Sequence, residues 1–246
     1  MGELAGTFND MLERLEKLFL RERMFSSAAS HELRTPVAVM MAYCEAFLSE
    51  ALNGGMMPGS IQSLEKMLKE TKRMDTIISQ LLLLSHGDEG KYKMIPENIN
   101  VYEIVDAVLQ EMREQADNAG IKLKYHGKKD IMVVADQSLL AQLILNLVEN
   151  AVKYGKRGGR AEVFAEQEAE YTTILVSDNG LGIAGKDLPH IFERFYRADK
   201  SRDRSGSGLG LSIAEWIARV HGGEIKVNSE YGSGSVFTVC LRTGLK

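Results

Sequence analysis

The sequence has few of the residues that build cross-linked proteins and no long apolar segment. Its 246 residues include two cysteines, Cys44 and Cys240, which are too few and too far apart for a disulfide framework or a thiolate metal cluster. The longest apolar run, at 77–84, is well short of the roughly 20 residues that cross a bilayer. Residues 1–9 lack the basic start and apolar core of a secretory signal. We therefore expect this fragment to make no membrane contact of its own.

Positive charge is not in excess either. Lys and Arg number 30 against 34 Asp and Glu, for a formal net charge of −4, so no overall field attracts nucleic acid and we expect no nucleic-acid partner. With 44% hydrophobic residues and only 4 prolines, the chain has enough apolar material for one or two cores. This composition excludes low-complexity disorder.

The first third of the chain is predicted to be helical. Apolar residues recur at steps of four and three within residues 4–18, the heptad spacing of a coiled coil. The pattern continues through a helix over 24–52, and a second helix is predicted from Ser60, a possible N-cap, to residue 87. Each helix is about 40 Å long. Because one hairpin cannot cover both apolar stripes, we expect residues 24–88 to form a dimeric four-helix bundle.

Short strands and separate helices replace this pattern beyond a linker at 89–96. The change is typical of an α+β domain, here residues 97–246. A polar, glycine-punctuated stretch over 183–210 contains one short predicted helix and is interpreted as a lid over a ligand. The predicted helices are 101–119, 138–154, 187–196 and 209–220, and the predicted strands are 121–126, 130–134, 160–165, 171–177, 224–227 and 235–241.

A polar cluster lies on the first helix of the hairpin, in the sequence His31-Glu32-Leu33-Arg34-Thr35-Pro36. At about 3.6 residues per turn, Thr35 lies one turn from His31 on the same face, and Glu32 is offset by about 100°. A nucleophile, a base and a hydroxyl are thus brought together, and Pro36 is expected to loosen the helix beside them. The local spacing fits an ordinary surface histidine equally well. It excludes a zinc protease, because Thr35 stands where the second histidine ligand would be.

One polar stripe interrupts the apolar helix predicted at 138–154. It consists of Asn146, Asn150 and Lys153. Two amides and an ammonium suit a hydrated Mg²⁺ ion and the phosphates it bridges, because Mg²⁺ takes oxygen ligands and keeps several waters. A solvent-facing edge of an amphipathic helix is the alternative that the stripe leaves open.

Two glycine clusters follow, one after a predicted strand at 178–182 and one opening a predicted helix at 206–210. The second is not a dinucleotide fingerprint, because the charged residues 200–205 precede it where a buried strand is required. A glycine-lined helix N-terminus does present free N–H groups and a positive dipole end to phosphate. No Walker A sequence is present, so any nucleotide would be held in another way.

Taken in order, these elements resemble the H, N, G1, F and G2 motifs of sensor histidine kinases. The resemblance covers residues 24–241, and residues 3–15 resemble the final helix of a HAMP linker. It implies a helical hairpin that dimerises as a four-helix bundle, followed by an ATP-binding α/β sandwich of the Bergerat type. Residues 1–23 would then be the end of a coiled-coil relay, and the chain the cytoplasmic portion of a membrane sensor. The matching segments are 31–36, 146–154, 178–182, Phe192-Glu193-Arg194-Phe195 and 206–210.

The resemblance also implies a role for each motif residue. His31 would be phosphorylated by ATP, Glu32 would take or stabilise the proton on its ring, and Thr35 would position a water for dephosphorylation of the partner. Asn150, assisted by Asn146, would hold Mg²⁺. The other residues implied to contact ATP or its lid are Lys153, Tyr154, Asp178, Gly180, Gly182, Phe195, Gly206, Gly208, Leu209 and Gly210.

The implied activity is autophosphorylation, transfer to an aspartate of a response regulator, and phosphatase action on that regulator, by a homodimer. Two rival interpretations remain. Gyrase-type and chaperone ATPases share the ATP fold, but they carry a water-activating glutamate where Asn146 stands, and Glu149 is poorly placed on the helix to replace it. A module that only binds nucleotide is the second rival.

Overall fold

The computed structural model describes residues 29–30, 32–49, 59–198 and 207–244, and the statements below refer to these residues. The chain divides into two compact units, with the boundary between Ser85 and His86. Among the described residues, no helix combines the length and the hydropathy that a membrane span requires.

The first unit is a helical hairpin. Residues 29–30 and 32–49 are helical, and the second of these ranges is α1; α2 is Gly59–Asp88. The helices pack antiparallel, since Cys44 Sγ lies 3.2 Å from Met67 Sδ and Thr71 Oγ1 donates to Met40 Sδ at 3.2 Å. The predicted hairpin is therefore confirmed. Helix α1 continues through Pro36, as the helix predicted over 24–52 requires. One detail differs, because α2 starts at Gly59, so that Ser60 lies inside the helix and is not its N-cap.

A broad apolar surface remains uncovered on this hairpin. Both helices carry large hydrophobic side chains that are more than a third exposed, in the repeating pattern that predicted a second copy. A single pair of helices buries only the stripe between them, because each helix has apolar residues on more than one side. The exposed residues are Val37, Met41, Leu48, Leu64, Leu68, Ile78 and Leu82.

The second unit is an α/β domain, as predicted. Its five-stranded sheet has the order β2-β4-β5-β7-β6, in which β2 and β4 are parallel and the other neighbours antiparallel, while β1 and β3 form a separate antiparallel pair. The helices are α3 Val101–Glu111, α4 Arg113–Ala119, α5 Gln137–Lys153 and α6 Gly210–Val220. The strands are β1 Pro96–Asn100, β2 Lys122–Gly127, β3 Met132–Asp136, β4 Arg160–Gln167, β5 Tyr171–Asp178, β6 Glu224–Glu230 and β7 Gly234–Arg242.

Helices cover one face of the large sheet. Along β4, Ala161, Val163 and Ala165 are buried while the alternate residues are exposed or half-buried, the period of two expected for a sheet with one packed face. Helix α5 contacts α3, α6 and β5 and has more buried residues than any other helix of the domain. Asn146 is the one polar side chain among its nine buried residues.

Three predicted elements of this domain were wrong or missed. The helix predicted over 101–119 ends at Glu111, because the buried Met112 turns the chain before α4 begins, and no glycine or proline marks the break. Strand β1 was not predicted. The helix predicted over 187–196 is only the 3₁₀ turn Leu188–His190 followed by turns, and the left-handed φ of 62° at Phe195 excludes a helix at the end of the predicted range.

A buried histidine links the start of α5 to the end of α6. His221 is 2% exposed; its Nε2 accepts from the N–H of Asp136 at 3.0 Å, and its Nδ1–H donates to the carbonyl of Ile217 at 2.8 Å. Asp136 caps α5 by accepting from the Leu139 N–H at 3.1 Å, and its other oxygen accepts from the Ile95 N–H. This link holds the helix with the asparagine stripe against the helix that begins in the second glycine cluster.

Candidate functional site

The asparagine stripe lies on α5, partly inside the core. Asn146 is 2% exposed; its Oδ1 accepts from Gln142 Nε2 at 3.0 Å, and its Nδ2 has no hydrogen-bond partner among the described residues. Asn150 and Lys153 are half-buried toward the end of the helix. Tyr154 is exposed, and the Lys153 ammonium lies 5.2 Å from the centre of its ring. The stripe therefore presents one buried donor that is unsatisfied among the described residues, and two groups that reach solvent beside the exposed Tyr154.

The second glycine cluster brings the N-terminus of α6 to this stripe. Gly210 is the first residue of α6, and a Cβ added to it would stand 3.7 Å from Asn146 Cγ. Gly208 has a φ of 71°, and an added Cβ would come within 2.8 Å of the Phe195 backbone, whose N–H donates to the Gly208 carbonyl at 2.9 Å. The unpaired N–H groups and the positive end of the α6 dipole thus lie beside the Asn146 amide.

A carboxylate lies at the end of β5, a strand that contacts α5. Asp178 Oδ1 accepts from the Gly180 N–H at 2.8 Å, and hydrogen bonds from Ser235 also reach the carboxylate. Burial raises the pKa of the Asp178 carboxyl above its ordinary value, although these hydrogen bonds and Lys156 oppose the shift. A half-buried acceptor at this depth suits a ligand that donates an N–H group.

The glycines after Asp178 are required by packing within the protein. A Cβ on Gly180 would stand 2.3 Å from the Tyr154 carbonyl oxygen, and one on Gly182, whose φ is 65°, would stand 2.0 Å from the Glu230 carbonyl oxygen. The motif resemblance implied that these glycines contact ATP or its lid. The structure adds that the loop could not reach the end of α5 or the β6–β7 turn with larger residues.

Other residues of the matching motifs make contacts within the protein. The Leu209 side chain is fully buried, and its N–H donates to Ser207 Oγ, so this residue packs in the core beneath the glycine cluster. Arg194 makes a bidentate pair with Asp88, with both N···O distances 2.7 Å. Gly206 lies outside the described residues.

The H-motif residues lie on the hairpin and are described by themselves. Glu32 is half-buried on α1, with an oxygen 4.0 Å from a guanidinium nitrogen of Arg73 on α2. Thr35 is exposed on the same helix. His31 lies outside the described residues.

The donor set fits a magnesium nucleotide better than a metal held by protein alone. Within the described residues, no group of three or more His, Cys, Asp or Glu side chains could hold a metal ion. Amide oxygens such as that of Asn150 can complete a Mg²⁺ sphere only if phosphates and water supply the other ligands. The orphaned Asn146 Nδ2 and the α6 N-terminus are the complementary donors for phosphate oxygens.

Sequence reasoning missed several residues that shape this site. Ser235 hydrogen-bonds to Asp178, Lys156 Nζ donates to the Gly232 carbonyl at 2.5 Å, and Ser229 Oγ accepts from the Ile183 N–H at 2.8 Å. Each contact joins residues far apart in the chain, so no local pattern could indicate it. Gln142 is different, because it lies one helical turn before Asn146 and its spacing alone could have drawn attention.

Comparison with known proteins gives two family matches. Residues 135–245 match the family described as histidine kinase-, DNA gyrase B- and HSP90-like ATPase, and residues 21–90 match the His Kinase A (phospho-acceptor) domain. The chain is 36% identical over 221 residues to the sensor-like histidine kinase SenX3 of Mycobacterium tuberculosis, an alignment that covers 89% of this chain and 53% of that protein. The chain thus spans about half the length of this curated relative.

Solved structures share the fold. The Acinetobacter baumannii histidine kinase AdeS has a TM-score of 0.70 at 22% identity, covering 87% of this chain and 98% of that one. The histidine kinase ThkA, solved in complex with the response regulator protein TrrA, has a TM-score of 0.70 at 21% identity, covering 97% of this chain and 66% of that one.

Proposed function

Because the chain belongs to the sensor histidine kinases of two-component systems, we propose that it transfers the γ-phosphoryl group of ATP to His31 and from there to a response-regulator aspartate. One observation carries the ATP half of this proposal. The buried Asn146 nitrogen, which has no partner among the described residues, the N-terminus of α6 and the Asp178 carboxylate border α5 within one unit. Donors for phosphate and an acceptor for a purine amine are therefore held by a single rigid core.

Each end of ATP has complementary groups in this arrangement. Asp178 accepts a hydrogen bond from the adenine amino group, which a carboxylate can do and a protonated carboxyl does less well. The N-terminus of α6 and Lys153 supply positive potential for the phosphates. The lid is proposed to comprise residues 183–210, in which Phe195 and Gly208 have left-handed backbone conformations; Gly206 lies outside the described residues.

Asn150 is proposed to bind Mg²⁺ through its amide oxygen. When bound, the ion would neutralise charge on the phosphates, which is the main requirement of phosphoryl transfer. Phosphoryl transfer depends chiefly on the alignment of the reacting groups and the neutralisation of charge. The role of Asn150 and the α5 backbone is therefore to keep a fixed position.

His31 acts as the nucleophile. The lone pair on Nε2 forms a bond to the γ-phosphorus, the bond from that phosphorus to the bridging oxygen breaks, and ADP leaves with the electron pair. Positive charge develops on the ring, and Glu32 stabilises or accepts the proton on Nδ1.

Labelling with γ-labelled ATP and Mg²⁺ tests the proposal. We expect acid-labile label on the chain and none on His31→Gln, while His126→Gln, at an exposed histidine of β2, labels like the wild type. Free phosphate without labelled protein would instead indicate an ATPase. Absence of both products would indicate a binding module. Asn146 in place of a glutamate and the exposed position of Glu149 favour the kinase.

Thr35 is proposed to serve the phosphatase activity. It is exposed one turn from His31, where a hydroxyl can position a water against a phosphoaspartate. Thr35→Ala should leave labelling of His31 unchanged and slow the loss of phosphate from a purified phosphorylated regulator by about 10-fold or more. Equal loss of both activities would refute this division of roles.

A homodimer is proposed through the hairpin. Its uncovered apolar side chains require a cover, and a second hairpin supplies one of matching pattern. Leu68→Glu should lower the solution mass from dimer to monomer in light scattering. Lys69→Glu, the exposed neighbour, should leave the dimer intact. A dimer that survives Leu68→Glu and a second substitution, Leu64→Glu, would contradict the proposed surface.

The wider organisation is also proposed. Residues 1–23 end a HAMP-like relay, 24–88 form the dimerisation and phosphotransfer hairpin, 89–96 a linker, and 97–246 the ATP-binding domain. The chain would be the cytoplasmic portion of a membrane sensor. The complex of ThkA with the response regulator protein TrrA supports a regulator as the partner of this chain.

A further inference from the structure

Gln142 determines which end of the Asn146 amide is available to a ligand. We propose that Gln142 is a positioning residue that turns the Asn146 N–H₂ group toward a phosphate oxygen of the nucleotide, so that Asn146 binds phosphate and does not ligate the metal. The inference rests on the proposed ATP site and deepens it, because it divides the two asparagines between phosphate and Mg²⁺.

The geometry follows from one turn of α5. Residues four apart lie on the same side of a helix, and Gln142 Nε2 donates to Asn146 Oδ1 at 3.0 Å. An amide is planar, with its oxygen and nitrogen on opposite branches of one carbon. A donor that holds the oxygen therefore also sets the direction of the nitrogen.

The nitrogen directed in this way has no partner in the described part of the chain. Asn146 is 2% exposed, and within the described part of the chain its Nδ2 makes no hydrogen bond. A buried donor without an acceptor is costly and is normally satisfied by protein, water or ligand. Gly210 and the N-terminus of α6 lie beside the same amide, since a Cβ added to Gly210 would stand 3.7 Å from Asn146 Cγ. This N-terminus is where phosphate is proposed to bind. An anionic oxygen is the acceptor that both groups favour.

The same orientation argues against a metal role for this residue. An amide N–H₂ has hydrogens to donate and no lone pair for a cation, and Mg²⁺ takes oxygen ligands. The Asn146 oxygen is already engaged by Gln142. Asn150, which lies four residues further along and is half-buried, keeps its oxygen for the ion in this division.

Calorimetric titration of the whole chain in EDTA tests the inference, with ATP and adenosine as separate ligands. Gln142→Met removes the donor at similar size and adds no charge, and we expect the Kd for ATP to rise about 2- to 10-fold while that for adenosine is unchanged. In an Asn146→Ala background the same substitution should have no further effect on ATP. Gln137→Met, on the exposed first turn of α5, is the matched control and should bind both ligands like the wild type.

Asn146→Asp separates the two roles, because it keeps an oxygen ligand and removes the donor. We expect ATP affinity in EDTA to fall about 10- to 100-fold. A loss that occurs only when Mg²⁺ is present, or an unchanged ATP affinity in Gln142→Met, would overturn the inference. Equal weakening of ATP and adenosine would also overturn it, because that is the result of a merely structural role. Absence of ATP binding by the wild type would overturn the proposed function itself.

Discussion

The loop after β5 offers a sharp test of how the site is built. Gly182→Ala places a Cβ 2.0 Å from the Glu230 carbonyl oxygen, and the backbone there has a φ of 65°. Real Cβ contacts do not come closer than 3.0 Å, so the loop and the β6–β7 turn must separate by about 1 Å. Two hydrogen bonds cross this junction, from the Gly232 N–H to the Leu181 carbonyl at 2.7 Å and from the Ile183 N–H to Ser229 Oγ at 2.8 Å.

The expected cost has two parts. A non-glycine residue held in the left-handed region loses about 1–2 kcal/mol. Each of the two hydrogen bonds that the separation weakens contributes about 0.5–1.5 kcal/mol. Gly182→Ala should therefore lower the free energy of unfolding of this domain by about 2–5 kcal/mol.

Urea unfolding followed by the fluorescence of Trp216, the only tryptophan of the sequence, measures this loss in the domain that contains the loop. Gly185→Ala is the matched control, because its Cβ would meet nothing within 4 Å and its φ is not positive. It should change stability by no more than about 0.5 kcal/mol. Equal stability of the two variants would refute the close approach of the loop to the β6–β7 turn.

Two further predictions concern titration and packing. ATP affinity should fall as the pH is lowered toward the titration of Asp178, which begins above the ordinary aspartate pKa of 3.8 because burial raises it. The stability of the ligand-free protein should depend on pH in the opposite direction. A carboxyl whose pKa is raised by folding stabilises the folded state as the pH falls through that pKa, so ATP affinity should fall while this contribution to stability rises. Titration calorimetry across acidic pH checks this, and an Asp178→Asn variant with the same pH dependence as the wild type would contradict it. His221→Ala should cost about 2–4 kcal/mol in urea unfolding, because it leaves the Asp136 N–H unpaired and opens a cavity. His126→Ala, at an exposed histidine, should cost less than about 0.5 kcal/mol, and equal losses would contradict the buried link.

Local sequence patterns were sufficient to predict the elements whose residues interact mainly with neighbours in the sequence. The heptad spacing predicted the α1–α2 hairpin, and the apolar run with its polar stripe predicted α5 within one residue at each end. Helical packing depends on residues three and four apart, so such spacing carries the information. The same approach failed between 187 and 196, where a left-handed Phe195 backbone, paired with Gly208 across the lid segment, prevents a helix.

Sequence by itself therefore determined the classes of residue at the site and the helices that carry them, because motif order and periodicity are local properties of the chain. Only the tertiary structure decided what each group contacts. It placed Gly182 against Glu230, joined His221 to Asp136, and buried one amide nitrogen of Asn146 with no partner among the residues that the structure describes. These contacts depend on segments that are distant along the chain and meet only when the sheet and helices pack, so their distances and burial follow from the fold and not from spacing.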